Sequence, residues 1–170
     1  MINVSKNFLF SFLDYPDNHS GAVVIYFYGC EHSCKGCHNS EFKDVKGGDF
    51  SSIHQLMSSL ISFSRRNRTN KIVFSGGDPL HPKNINLTRS LCDSLYKEYD
   101  ICIYTGYDSI YAQQKGVKNF KFMKCGGYDE TKCQLSNKTD SFLYLASRNQ
   151  YIVDSKYNAL SINGKYKFNN

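Results

Sequence analysis

Val23-Val24-Ile25-Tyr26-Phe27-Tyr28 (VVIYFY) is an unbroken run of β-branched and aromatic residues that stops at Gly29. A short apolar run without polar alternation predicts a buried strand, and the glycine permits a tight turn at its end. Further along, Ser52 and Gln55 make a capping box ahead of Ile53, Leu56, Met57, Leu60 and Ile61, which place one apolar stripe on a helix. Lys71 to Phe74 (KIVF) predicts a second buried strand, running directly into Ser75-Gly76-Gly77-Asp78-Pro79-Leu80. Asn84 or Asn86 can cap a second helix that carries Leu87, Leu91, Cys92 and Leu95. Ile101 to Tyr104 (ICIY) predicts a third strand stopping at Thr105-Gly106. Asp108 to Lys115 reads as a short helix, and Phe120 to Met123 as a fourth strand followed by Gly126-Gly127.

Strands separated by helical crossovers imply parallel pairing with right-handed connections. The expected fold is α/β, an open sheet or partial, open (β/α) barrel of mostly parallel strands. Sites in such folds gather at the carboxyl ends of the strands. The cysteine loop after Gly29, the SGGDPL segment, Thr105-Gly106 and Cys125-Gly126-Gly127 all follow strand ends, so one sheet edge should collect them. Leu160 to Phe168 places Asn163-Gly164 between alternating residues and predicts a small C-terminal β-hairpin with a type I′ turn. With no internal repeat and no long linker, residues 1–170 are expected to form one domain, with a core over about 20–153 and the hairpin extension over about 155–170.

The 170 residues are 41% hydrophobic and include 12 Phe and 13 Tyr, enough for one core and far from the composition of a disordered chain. The apolar patch Phe8 to Leu13 is broken by Ser11 and lacks a cleavage site, and no segment reaches the roughly 18 apolar residues of a membrane span. A cytoplasmic protein with no membrane partner is expected. Net charge is +6, with one basic cluster at Arg65, Arg66 and Arg68 that reads as a solvated helix end, so no nucleic-acid partner is expected.

Seven cysteines in a reducing compartment point to metal ligation, catalysis or buried thiols rather than disulfides. Cys92 and Cys102 lie on apolar stripes and read as core thiols, and Cys125 and Cys133 as free loop thiols. Cys30, Cys34 and Cys37, in GCEHSCKGCHN, have the spacing C-x3-C-x2-C. Three thiolates so close can converge on one metal centre. Zinc would need a fourth ligand, which His32 or His38 could supply; a 4Fe-4S cluster held by three thiolates would leave one iron without a protein ligand.

The three-cysteine motif after the first strand and the two-glycine acidic segment after the second resemble the radical S-adenosylmethionine enzymes. Gly36 and Asn39 around the last cysteine, SGGDPLHPKN from Ser75 to Asn84, YTGY from Tyr104 to Tyr107 and a fainter echo at Asn149-Gln150 resemble, more narrowly, the activating proteins of anaerobic ribonucleotide reductase. The resemblance runs from about residue 23 to 152. It implies a radical S-adenosylmethionine core in which Cys30, Cys34 and Cys37 bind one 4Fe-4S cluster. S-adenosyl-L-methionine would chelate the open iron, with Gly76, Gly77 and Asp78 lining its amino group and Gly36 and His38 near its adenine. Reductive cleavage would yield a 5′-deoxyadenosyl radical that takes hydrogen from a glycine of the reductase large subunit. An electron donor such as a flavodoxin is implied as a second partner.

The chain departs from the family pattern where Cys125-Gly126 stands for an aspartate-glycine pair, where Leu145-Ala146 stands for an arginine-glycine pair, and in its terminal hairpin. Two other readings compete: a small-molecule radical S-adenosylmethionine enzyme like the deazaguanine-precursor synthases, and a zinc-stabilised nucleic-acid module. The latter leaves the glycine loop without a role. His81, in SGGDPLHP, reads as a loop-structuring residue, and His19 and His54 as ordinary polar residues.

Overall fold

The computed structural model describes residues 1–17, 21–134 and 142–167. In chain order its strands and helices are β1 (Leu9–Ser11), β2 (Ala22–Phe27), α1 (Ile53–Arg66), β3 (Lys71–Gly76), α2 (Ile85–Leu95), β4 (Asp100–Tyr104), α3 (Ser109–Gln114), β5 (Phe122–Cys125), β6 (Phe142–Tyr144), β7 (Tyr151–Asp154), β8 (Ser161–Ile162) and β9 (Lys165–Lys167). The main sheet runs β1-β2-β3-β4-β5-β7, with β2 to β5 parallel and the two edge strands antiparallel to their neighbours. The fold is therefore mixed α/β with a mostly parallel sheet. A smaller antiparallel sheet, β6-β9-β8, forms beside it.

Period-two alternation explains how the sheet is covered. Val23, Ile25 and Phe27, then Ile72 and Phe74, then Ile101 and Ile103, then Met123 and Cys125 point to one face and pack with Leu56 and Leu60 of α1, Leu91 and Cys92 of α2 and Ala112 of α3. All of these side chains are essentially buried, and each large apolar one contributes about 1.5–3 kcal/mol. Val24, Val73 and Cys102 point to the opposite face, where Tyr15 covers them and Tyr26, Tyr104 and Phe122 are half-buried. With the helices on one face, the opposite face is free to line a cavity.

Capping explains where the helices start. Ser52 Oγ accepts from Gln55 N at 3.2 Å, while Gln55 Oε1 returns to Ser51 N at 2.9 Å, so the reciprocal half of the expected box falls one residue earlier. Asn84 stands at the start of α2 without capping it through its side chain. Its amide donates instead to the Tyr28 carbonyl at 2.8 Å and the Asp78 carbonyl at 2.9 Å, tying two loops together. Asp108 caps α3 by accepting from Tyr111 N at 2.7 Å.

Several expectations are corrected. The fourth parallel strand covers Phe122–Cys125 rather than residues 120–123, because Asn119 turns the chain at φ 62° and Phe120 packs edge-on against Tyr157 before the strand begins. Cys125 is consequently a core residue and not a loop thiol. The edge strands β1 and β7 and the short β6 were not predicted. The expected hairpin is present, with Asn163 and Gly164 at φ 48° and 71° and Ile162 opposite Lys165, as a type I′ turn requires. It is not a separate appendage: β6 pairs with β9, and Leu145, Ile152 and Tyr166 form a shared cluster against Phe122. Phe168 and His19 lie outside the described residues.

Candidate functional site

Three loops meet at the carboxyl ends of the parallel strands. Gly29, at φ 101°, turns the chain out of β2, and Gly29 N and Cys30 N donate to the carbonyls of Phe42 and Lys43 at 2.8 and 2.9 Å. These bonds close the stem of the cysteine loop. The glycine loop is zipped to the same stem, Gly77 N donating to Phe27 O at 2.8 Å and Asp78 N to Gly29 O at 2.7 Å. A side chain at Gly77 would place its Cβ 2.5 Å from Phe42 O and 2.6 Å from Gly29 O. The close backbone approach that this glycine permits is thus to the chain's own backbone, which sets the spacing between the two loops.

Asp78 is buried at the junction. Its Oδ1 accepts from Leu80 N and from Thr105 Oγ1, each at 2.8 Å, and its Oδ2 accepts from Gly106 N at 2.8 Å. His32 Nε2 lies 3.2 Å from the same Oδ2, at ion-pair distance but off the axis of a hydrogen bond. The Asp78 carboxylate raises the His32 pKa above its ordinary value, with burial opposing. The imidazole packs edge-on against Tyr107 at 4.6 Å between centroids, and a Cβ at Gly106 would come within 2.3 Å of it. One carboxylate thereby fixes the β3 loop, the β4 loop and the cysteine loop at once.

Cys30, Cys34 and Cys37 border one cavity of about 340 Å³, together with Gly36, His38, Asn39, the Ser75–Asp78 segment, Thr105, Gly106, Gly126 and Gly127. The sequence-predicted site residues are therefore brought to one place. Burial pushes the Cys30 thiol up to about 11, the His32 N–H opposing and Asp78, Cys34 and Cys37 adding to the rise. Among the described residues no three His, Cys, Asp or Glu side chains are drawn together at metal-holding distance, so the thiols stand around the cavity rather than closed on a point. Gly36, at φ 72°, sits under Tyr128, and the His38 ring is 6.1 Å from that of Tyr128.

A bound cluster is compatible with this arrangement. The Cys34 sulfur lies 3.3 Å from where a Cβ of Gly127 would stand, so the absence of a side chain at Gly127 leaves the thiol room toward the cavity. His32, a possible fourth ligand in the zinc reading, is committed to Asp78 and Tyr107. His81 accepts from Lys83 N through Nδ1 at 3.2 Å, as a loop-structuring residue does. Cys133 is exposed, with its sulfur 2.9 Å from the Tyr128 hydroxyl. Sequence reading missed Asp14, Tyr26, Tyr104 and Lys124, which also line the cavity.

A parallel-stranded sheet whose strand ends carry three cysteines and two glycine loops around a cavity defines a cluster-binding class. A family model described as 4Fe-4S single cluster domain matches residues 20–158. The chain is also similar to the anaerobic ribonucleoside-triphosphate reductase-activating protein of Escherichia coli K12, at 30% identity over 137 residues, covering 76% of this chain and 85% of that protein. It is similar to the proteins of the same name from Enterobacteria phage T4, at 29% over 97 residues, and from Haemophilus influenzae, at 31% over 102 residues. Each of these two matches covers 55% of this chain and spans 62% and 64%, respectively, of the relative's length. The chain belongs to this 4Fe-4S family and, within it, to the anaerobic ribonucleoside-triphosphate reductase-activating proteins.

Proposed function

We propose that this protein is a radical S-adenosylmethionine activase that generates a glycyl radical on the large subunit of an anaerobic ribonucleotide reductase. The observation that carries the reading is the gathering of Cys30, Cys34, Cys37 and the Gly76-Gly77 backbone around one cavity. Cys30, Cys34 and Cys37 would hold the cluster and Gly76, Gly77, Gly36 and His38 would flank S-adenosylmethionine. Held there, the cluster would supply one-electron reduction of the sulfonium, the chemistry needed for hydrogen-atom abstraction from a glycine Cα.

The chain's own residues supply position. Asp78, saturated by Leu80, Thr105, Gly106 and His32, acts on the cofactor through the loops it holds, and the glycines of those loops present bare backbone to the cavity. Cys30 is half-buried, and the aromatic side chains Tyr26, Tyr104 and Tyr128 line the cavity; water displaced from it by a bound cofactor would strengthen electrostatic interactions within it. The consecutive order β2-β3-β4-β5 with helices on one face supports a partial, open barrel. We assign the chain as one cytoplasmic domain with its core over 20–153 and the small sheet as extension, served by an electron donor such as a flavodoxin. No helix among the described residues is long and apolar enough to cross a membrane.

Anaerobic reconstitution with iron and sulfide, reduction, and quantification of 5′-deoxyadenosine tests the reading. Stoichiometric 5′-deoxyadenosine supports it; a protein that holds one zinc and never cleaves S-adenosylmethionine contradicts it.

A further inference from the structure

On the sheet face away from the helices, four residues fall in one row across four parallel strands. Tyr26 of β2 is paired with Ser75 of β3, Tyr104 of β4 is paired with Lys124 of β5, and Phe74 opposite Ile103 puts Ser75 beside Tyr104. All four line the cavity that the three cysteines border. Gly127, which approaches Cys34, follows Lys124 on the same strand end, so the row forms the floor below the cysteine edge.

Lys124 carries the row's charge. Its ammonium leans over the Tyr104 ring, 4.0 Å from the centroid and so toward Ser75. Among the described residues no carboxylate stands within ion-pair distance of it and no hydrogen-bond acceptor serves it. The two acids that share the cavity leave it unneutralised. Asp78 is saturated by its four partners, and Asp14, which raises the Lys124 pKa, forms no ion pair with it among the described residues, while its backbone carbonyl takes the Tyr104 hydroxyl. Burial lowers the Lys124 pKa against the pull of Cys102 and Asp14. A desolvated cation without a counter-charge is costly, and an anion entering the cavity recovers that cost.

We propose that Lys124 and the Ser75 hydroxyl form an anion subsite on the cavity floor that takes a carboxylate. One ammonium and one hydroxyl match the single charge and two oxygens of a carboxylate, whereas a phosphate dianion would ask for more donors. The carboxylate could come from the amino-acid end of S-adenosylmethionine or from an acidic residue or chain terminus of the polypeptide substrate. The choice between them rests on the functional reading above; the subsite itself does not.

Three measurements separate these cases. Acetate titrated onto the iron-free protein should give one saturable lysine side-chain NMR shift, absent in Lys124→Gln. With reconstituted protein in equilibrium dialysis, a cofactor carboxylate predicts that Lys124→Gln weakens S-adenosylmethionine binding by about ten- to hundredfold, the range of one charge-assisted hydrogen bond. Binding of decarboxylated S-adenosylmethionine should then be unchanged, and Lys124→Arg should restore most of the loss. A polypeptide carboxylate predicts unchanged S-adenosylmethionine binding and the same loss toward the reductase large subunit. If wild-type protein takes acetate at Lys124 but never binds S-adenosylmethionine, the functional reading fails and the subsite stands. No acetate response, or equal loss of S-adenosylmethionine and its decarboxylated analogue in Lys124→Gln, overturns the subsite.

Discussion

His32 in the cysteine loop lies 3.2 Å from Asp78 in the glycine loop, through Nε2 and Oδ2. The contact joins two segments 46 positions apart, and the same carboxylate holds the Thr105-Gly106 turn. The geometry of the cavity therefore depends on one buried side chain.

Asp78→Ala removes the acceptor for two backbone N–H groups and one hydroxyl. The expected cost is about 3 kcal/mol, which for a chain of this size lowers the thermal midpoint by about 6–12 °C. Anaerobic thermal unfolding by circular dichroism checks it, and an unchanged midpoint would show that the loops are held by other contacts.

Gly77→Ala and Gly36→Ala should differ sharply. At Gly77 the new Cβ meets two backbone carbonyls at 2.5 and 2.6 Å, neither of which can move without opening the loop stem. Iron incorporation should be lost. At Gly36 the nearest atom is 3.6 Å away and the cost is the left-handed backbone, φ 72°, about 1 kcal/mol. Iron content after reconstitution should stay near wild type there; equal losses would refute the packing argument.

Cys34→Ala should abolish iron binding, whereas Cys92→Ala, in the core against the sheet, should keep its iron and lose on the order of 1 kcal/mol of stability. Iron analysis and unfolding of both variants make the comparison.

Asp129, beside the Glu130–Lys35 ion pair over the cysteine loop, accepts from the Lys132 ammonium and from the hydroxyl and N–H of Thr131. Lys132 first, and then Thr131, hold its pKa down to about 2. A carboxylate pKa depressed by folding contributes stability that is present above the unfolded value and lost as pH falls through the folded one. The contribution should therefore be complete above about pH 4 and fade toward pH 2. Carboxyl-carbon NMR should place the Asp129 midpoint well below 3.8 and show it rising in Lys132→Met; a wild-type midpoint near 4 would contradict the contact.

The parallel strands β2, β3 and β4 were legible because strands buried on both faces are continuous apolar runs, as in Lys71 to Phe74 and Ile101 to Tyr104. The cysteine ligands were legible from spacing. Edge strands leave no such run: Leu9–Ser11 and Phe142–Tyr144 are three residues long and partly exposed. Lys124 and Cys125 read in sequence as loop beyond a strand that stops at Met123 but in fact complete β5, so the charged member of the cavity floor was lost with the strand boundary. The Asp78 clasp was illegible for another reason, since Thr105, Gly106 and His32 come to it only through the parallel register.

The most direct test is electron paramagnetic resonance of the large subunit of an anaerobic ribonucleotide reductase after incubation with the reconstituted, reduced protein and S-adenosylmethionine. A glycyl-radical doublet on that subunit, absent with Cys34→Ala, is the predicted result. No radical on the subunit, with 5′-deoxyadenosine accumulating all the same, would contradict the assignment of a polypeptide glycine as substrate.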